Sequence, residues 1–213
     1  MSPRYPGYEV EAKRDTPSWN EATRLAVDKR LAVPREPRFF TTDEWITLEA
    51  ICDRIMPQPG DRPKVPLPAY VDQKLADNVQ DGYRYAVLPP QGEAWRRGLR
   101  ALDDAAHGVF GGPFRTLLPE RQDEILRRAQ AGALEGEAWA GMPSKAFFEH
   151  RLVPDITHAY YATPTAWNEI GFGGPASPRG YVRMALNRRD PWEAVEAKPD
   201  HEAKARQANS RVR

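Results

Sequence analysis

Apolar side chains recur along most of this chain at intervals of three and four residues, which is the spacing of one face of an α-helix. The clearest apolar stripe consists of Trp45, Leu48, Cys52 and Ile55. Thr41 and Glu44 precede it with the spacing of a capping box, and Pro57 stops it. The pattern therefore predicts a helix between Phe40 and Pro57.

Four later segments show the same periodicity. Helices are expected from Pro68 to Val79, Glu93 to His107, Pro119 to Gly132 and Ser144 to Tyr160. Ser144 is expected to cap the last of them, and Pro154 to kink or split it. Because no stretch alternates in the manner of a strand, we predict an all-α fold. The expected architecture is an irregular helical bundle of about five to seven helices, with long Pro/Gly-rich loops and extended N- and C-terminal arms.

The two ends of the chain differ in composition from this domain, which we place at residues 39–184. Residues 1–38 are polar and punctuated by proline, with a candidate helix over 18–31 that Ser18 would cap. We interpret them as an arm that wraps a partner, or as a tail that frays. Residues 185–213 are a charged tail, for which a short helix and disorder are both open.

Composition limits the classes of function. Of the 213 residues, 31 are Lys or Arg and 30 are Asp or Glu, so the net charge is +1 and does not favour nucleic acid. No apolar run approaches the roughly 18 residues that cross a bilayer. The first fifteen residues lack the apolar core of a secretory signal, so a cytoplasmic location is expected.

The sequence contains no convincing catalytic, cofactor-binding or metal-binding constellation. Cys52, the single cysteine, lies within an apolar helical stripe and is expected to be a buried hydrophobe. His150 and His158 flank Asp155 but lack the spacing of a zinc or di-iron motif. The G-F-G-G-P segment at 171–175 follows a helix rather than a strand, which is the wrong context for a nucleotide.

Residues 156–184 combine large aromatic rings with proline and glycine, and that combination favours protein binding. Aromatic residues and arginine are enriched in interface hot spots. The predicted partner-binding residues are Trp19, Tyr161, Trp167, Phe172, Arg179, Tyr181 and Arg183. The alternative is that some of these rings fill the core of the chain itself.

Four segments together resemble the gluconate 2-dehydrogenase subunit 3 family. They are FFTTDEWITLEAICDRIMP from Phe39, YRYAV with WRRGLRALDDAA, the FF…HAYYATP helix, and WNEIGFGGP from Trp167. The resemblance covers about residues 39–184. It implies a small subunit that is not an enzyme by itself and has no cofactor of its own. The implied catalytic partner is an FAD-dependent flavoprotein of the glucose-methanol-choline (GMC) class, and many such complexes add a multihaem cytochrome c subunit.

The resemblance leaves other roles open. Family members typically assist export and begin with a twin-arginine signal, whereas this chain begins with a polar arm. The complex would then be cytoplasmic, or periplasmic if the partner carries the signal. Besides stabilising a sugar, sugar-acid or glycoside dehydrogenase, the subunit could line the partner's substrate entrance. The remaining alternative is a stand-alone metal protein or enzyme.

Overall fold

The computed structural model describes residues 3–60, 62–175 and 192–212, and all regular elements in these ranges are helical. The helices are α1 (Glu21–Leu31), α2 (Thr42–Ile55), α3 (Leu67–Ala76), α4 (Gln91–Phe110), α5 (Pro119–Ala131), α6 (Ser144–Phe147), α7 (Val153–Tyr161), α8 (Pro164–Ile170) and α9 (Glu202–Asn209). Short 3₁₀ turns occur at Val10–Lys13, Phe114–Thr116 and Glu137–Trp139. The all-α prediction is confirmed.

The chain forms two compact units. Val33–Tyr160 make up the middle unit, and Met1–Ala32 together with Tyr161–Arg213 make up the terminal unit. These boundaries differ from the expected 1–38, 39–184 and 185–213, because α8 groups with the terminal segments. That those segments wrap a partner stays a prediction.

The long helix α4 supplies much of the core of the middle unit. Trp95, Leu99 and Leu102 recur on one buried face, as the periodicity predicts. Gly98 lies on the same face, and a Cβ added there would fall 2.3 Å from the Phe147 ring. Phe147 also meets Trp95 edge to face, with 5.6 Å between ring centroids. The absence of a side chain at position 98 therefore lets α4 and α6 pack closely.

The start of α2 is fixed in the manner that the sequence predicts. Thr41 Oγ1 accepts a hydrogen bond from Glu44 N, and the Glu44 carboxylate accepts one from Thr41 N, which completes the capping box. The buried Asp72 carboxylate of α3 accepts three backbone N–H groups just before the helix, from Arg38, Phe39 and Phe40. This segment is consequently tied to α3.

The predicted split at Pro154 is a change of helix type. α6, a π-helical turn at Phe148–Leu152 and α7 follow one another without interruption. Proline has no N–H to donate to the carbonyl oxygen four residues earlier, at His150. Arg151 Nε donates to that oxygen instead, at 2.7 Å. The side chain thus replaces the missing backbone donor.

Two predicted caps differ from the structure. Asn20, rather than Ser18, caps α1, because its side-chain oxygen accepts a hydrogen bond from the backbone N–H three residues later. Ser144 is the first residue of α6 and not its cap. Its buried hydroxyl has no hydrogen-bond partner in the described part of the chain.

The terminal unit has a small apolar core of its own. Its buried members are Tyr8, Val10, Trp19, Val27, Trp167 and Val212. They come from the first thirty residues, from α8 and from the segment after α9, so both ends of the chain contribute. The charged tail contains the short helix that the sequence left open. Among the described residues, no helix is long and apolar enough to cross a membrane.

Candidate partner-binding surface

The connection between α3 and α4, which we call the 77–90 loop, carries four exposed apolar or aromatic side chains in the middle unit. This set, called here the tyrosine patch, consists of Val79, Tyr83, Tyr85 and Val87. Tyr83 is 67% exposed and Val87 56% exposed, so most of each side chain faces solvent. Exposed clusters of this kind mark interaction surfaces.

The helix that starts near Pro68 was expected to extend to Val79, and this expectation is wrong. α3 ends at Ala76, and Asn78 adopts a positive φ of 51°. Asparagine is one of the few residues that tolerate this conformation, which cannot continue a helix. The chain therefore turns before Val79 and leaves that side chain outside the helix.

The loop is held by charged groups that we call the anchor network, namely Lys74, Asp81, Arg151 and Asp155. Lys74 Nζ lies 2.7 Å from Asp81 Oδ1 and 2.8 Å from Asp155 Oδ1. Arg151 donates a second hydrogen bond to Asp81. Asp81 is the loop's own member, so the loop is attached to both α3 and the π-helical turn.

The electrostatics of Asp81 follow from this arrangement. Partial burial by itself would raise the pKa of the Asp81 carboxyl. Hydrogen bonds and charge from Lys74 and Arg151 outweigh that effect and hold the pKa below its usual value. Asp81 therefore remains ionised, and the loop remains attached, over the whole neutral and mildly acidic range.

The π-helical turn also supports the tyrosine patch directly. The His150 ring stacks on Tyr85, with 3.7 Å between ring centroids and 10° between ring planes. Tyr83 meets Tyr85 edge to face at 5.8 Å. The two tyrosines therefore stand on a platform built from His150, although both remain solvent-exposed. A platform of this kind lowers the entropy that the rings would lose when a partner covers them.

The described residues contain no candidate metal site, and the cysteine among them is buried. No group of three or more His, Cys, Asp or Glu side chains in the described ranges could hold a metal ion. Cys52 is buried in α2, and burial raises the pKa of its thiol well above the usual value. A thiol of this kind is neutral and inert at neutral pH.

Two of the predicted partner-binding residues lie inside the chain's own core. Trp19 is 2% exposed and Trp167 3% exposed, and both belong to the core of the terminal unit. Trp167 Nε1 donates to the Tyr161 carbonyl at 2.8 Å. For these two indoles the structure favours the alternative that the sequence left open, which is packing within the chain.

The other predicted residues divide into two groups. Tyr161 and Phe172 are exposed, at 47% and 36%, and remain available to a partner. Arg179, Tyr181 and Arg183 lie outside the described residues.

The glycines of the G-F-G-G-P segment hold the N-terminal segment close to α8. Gly171 ends α8 with a φ of 69°, and a Cβ there would fall 2.6 Å from the Tyr5 ring. Gly174 has a φ of 74°, and a Cβ there would fall 3.0 Å from both Trp19 and Val10. Glycine is thus required at both positions by backbone conformation and by space. The segment binds the chain's own N-terminal residues.

A buried lysine reinforces this contact. Lys13 Nζ donates to Tyr8 Oη at 3.0 Å, to the Gly173 carbonyl at 3.2 Å and to the Trp192 carbonyl at 2.7 Å. Lys13 is completely buried, and charged groups are buried only when they are well hydrogen-bonded. It therefore joins the N-terminal segment to two later parts of the chain.

The tyrosine patch was missed as a binding surface, although the sequence offered a signal. The run Gly82–Val87 holds two tyrosines, one arginine and a valine between two helices, without helical periodicity. Exposed tyrosine and arginine in a short loop have the composition of an interface hot spot.

The family model described as Gluconate 2-dehydrogenase subunit 3 matches residues 42–174. The match spans the 77–90 loop, the anchor network and the glycines that follow α8. No curated protein and no solved structure matches the chain.

Proposed function

The chain belongs to the gluconate 2-dehydrogenase subunit 3 family, and we propose that it is the noncatalytic small subunit of an FAD-dependent dehydrogenase complex. In this proposal it binds and stabilises a flavoprotein of the GMC class. The flavoprotein holds the FAD and oxidises a sugar, sugar acid or glycoside. A cytochrome c subunit would be a further member of the complex.

The observation that carries the proposal is the tyrosine patch on its anchored loop. Exposed apolar side chains on one loop, in a chain whose described part holds no candidate metal site, support a partner that covers them. The patch is already fixed in place by Asp81 and the His150 platform. Binding to such a surface loses little conformational entropy.

Co-expression tests the proposal. The flavoprotein would be produced with this chain, without it, and with a Tyr83→Ala/Tyr85→Ala variant, and its soluble yield, FAD content and activity would be measured. We expect soluble, FAD-loaded flavoprotein with the natural chain and a clear loss of yield without it. Equal yield, FAD content and activity in all three cultures would contradict the proposal.

The kinetics of the purified complexes address the second role, in which the subunit lines the substrate entrance. A variant that binds normally and raises only KM would indicate contact with the entrance, because only substrate binding is affected. Phe172→Ala is suited to this test since Phe172 is partly exposed. Trp167→Ala is not, because its ring fills the core of the terminal unit.

A further inference from the structure

A groove of about 650 Å³ lies in the middle unit beside the 77–90 loop and the first turns of α4. Phe39, Leu75, Val79 and Pro90 give it apolar walls. Arg96, Arg97 and Arg100 line it from α4. Apolar walls beside several guanidinium groups suit a ligand that combines an apolar group with negative charge.

Two of the arginines are held in place by contacts within the chain. The Arg96 guanidinium lies 4.3 Å from the centre of the Phe39 ring and donates to the Phe39 carbonyl at 2.8 Å. Arg97 donates to the Ala140 carbonyl at 3.0 Å and pairs with Glu93. Both side chains are thus oriented before any ligand arrives.

The ion pairs leave positive charge available in the groove. Arg96 and Arg100 have no acidic partner within 4.0 Å in the described part of the chain, and Arg97 is paired with Glu93. Glu137 is the one carboxylate of the groove lining that is left unpaired among the described residues. Among the residues that the structure describes, the groove therefore has two arginines without an acidic partner and one glutamate without a basic partner. This excess of positive charge favours an anionic ligand.

Gln91 provides a second and independent indication of a ligand. Its side chain lines the groove and is 8% exposed, and its Oε1 has no hydrogen-bond partner among the described residues. Its Nε2 makes only a long contact of 3.4 Å with Gln80 Oε1. A buried acceptor without a donor destabilises the free protein. Once the Gln91 side chain turns toward the groove, a peptide N–H from another chain would satisfy it.

We propose that this groove accepts an acidic segment of the flavoprotein partner, an inference that rests on the proposed function. An aspartate or glutamate carboxylate of the partner pairs with Arg96 and Arg100. A neighbouring apolar side chain of the partner lies against Phe39 and Leu75, and a backbone N–H bonds to Gln91 Oε1. Val79 of the tyrosine patch also lines the groove, and both features belong to the 77–90 loop and its neighbours.

Charge reversal tests the ionic part. The dissociation constant of the purified chain for the purified flavoprotein would be measured at about 0.05 and about 0.5 M NaCl. We expect Arg100→Glu to weaken binding at least tenfold at low salt and to reduce the salt dependence, with no change in thermal stability. Arg100 is the better site because Arg96 also supports Phe39. Arg127→Glu, an exposed arginine on α5, is the matched control and should bind normally.

Gln91→Met tests whether Gln91 Oε1 accepts a hydrogen bond from the partner. A purely structural role of Gln91 would not make the variant both more stable and weaker in binding. Methionine keeps the approximate volume and removes the unpaired acceptor. We expect the free variant to unfold at a higher temperature than the natural chain and to bind the flavoprotein about tenfold more weakly. A variant that is less stable and binds normally would contradict the assignment.

The outcomes separate the two proposals. If the natural chain does not bind the flavoprotein, the proposed function and the groove assignment both fail. If it binds and Arg100→Glu matches Arg127→Glu at both salt concentrations, the groove assignment alone fails. Weaker binding of Arg100→Glu together with normal binding of the control supports an acidic segment.

Discussion

Trp95 Nε1 donates a hydrogen bond of 2.8 Å to Oδ2 of Asp155, and both side chains are buried. The other carboxylate oxygen of Asp155 accepts from Lys74 Nζ at 2.8 Å. One carboxylate on α7 therefore connects to α3 and α4, the two helices that the 77–90 loop joins. Asp155 thereby fixes Lys74, one of the two cations that hold Asp81 of the loop.

Replacing Asp155 should destabilise the chain more than any other single change in the anchor network. Asp155→Ala leaves Lys74, Arg151 and the indole N–H without their shared acceptor, which we expect to cost about 3–5 kcal/mol. Asp155→Asn should cost less because it retains an acceptor. The free energy of unfolding in urea measures both. Asp53→Asn, which removes an exposed ion pair with Lys64, should change it by less than about 1 kcal/mol.

The attachment of the 77–90 loop should depend on pH in a defined direction. The folded pKa of Asp81 is lowered from 3.8, so its contribution to stability is fully present above about pH 3.8 and is lost as the pH falls through the lower folded value. Asp81→Asn should cost about 1–3 kcal/mol at pH 6. Urea unfolding of both proteins between pH 6 and 3 should show the difference shrinking only at the acidic end. A difference that vanishes by pH 5 would contradict the assignment.

The contact of the G-F-G-G-P segment with the N-terminal residues predicts that Gly171→Ala and Gly174→Ala destabilise the terminal unit. Each side chain would meet a ring in a backbone conformation that alanine disfavours, at about 1–3 kcal/mol for the conformation alone. Proteolysis of the N-terminal segment should accelerate in both variants. Gly108→Ala is the control, because that helical position has open space around it and alanine favours the helix.

The tyrosine patch predicts separate effects on binding and folding. Tyr83→Ala should weaken binding of the flavoprotein about tenfold or more while changing the free energy of unfolding by less than about 0.5 kcal/mol. Tyr85→Ala should also cost some stability, since it removes the stack on His150. Leu118→Ala removes an equally exposed side chain outside the patch and should leave the affinity unchanged.

Cys52 should resist alkylation in the folded chain. Burial keeps its thiol neutral and raises its pKa, and only the thiolate reacts rapidly. Iodoacetamide at pH 8 should modify it slowly in buffer and quickly in denaturing urea, as followed by mass spectrometry. Rapid modification of the native protein would show that α2 opens readily.

Local signals allowed the helices of the middle unit to be predicted well. Thr41 and Glu44 formed the expected capping box, Gly132 ended α5, and the stripe through Trp95 is buried. These features depend on residues within one or two turns. The family could also be predicted, because its sequence motifs are local.

Contacts between distant residues could not be predicted in the same way. Trp19 and Trp167 are buried in the same core although they lie far apart in the sequence. The pairing of Asp81 with Lys74 and Arg151 likewise brings together three separate segments. Periodicity assigns a residue to a face of its own helix and does not say which remote segment covers that face.

The composition of the terminal core has a consequence for the order of folding during synthesis. Val10 and Trp19 are made before the middle unit, but Trp167 and Val212, which complete their core, are made only after it. The middle unit can fold around its own core before they are made. Trp19 therefore stays unburied until the whole middle unit has been made. In that interval it is open to contact with other proteins.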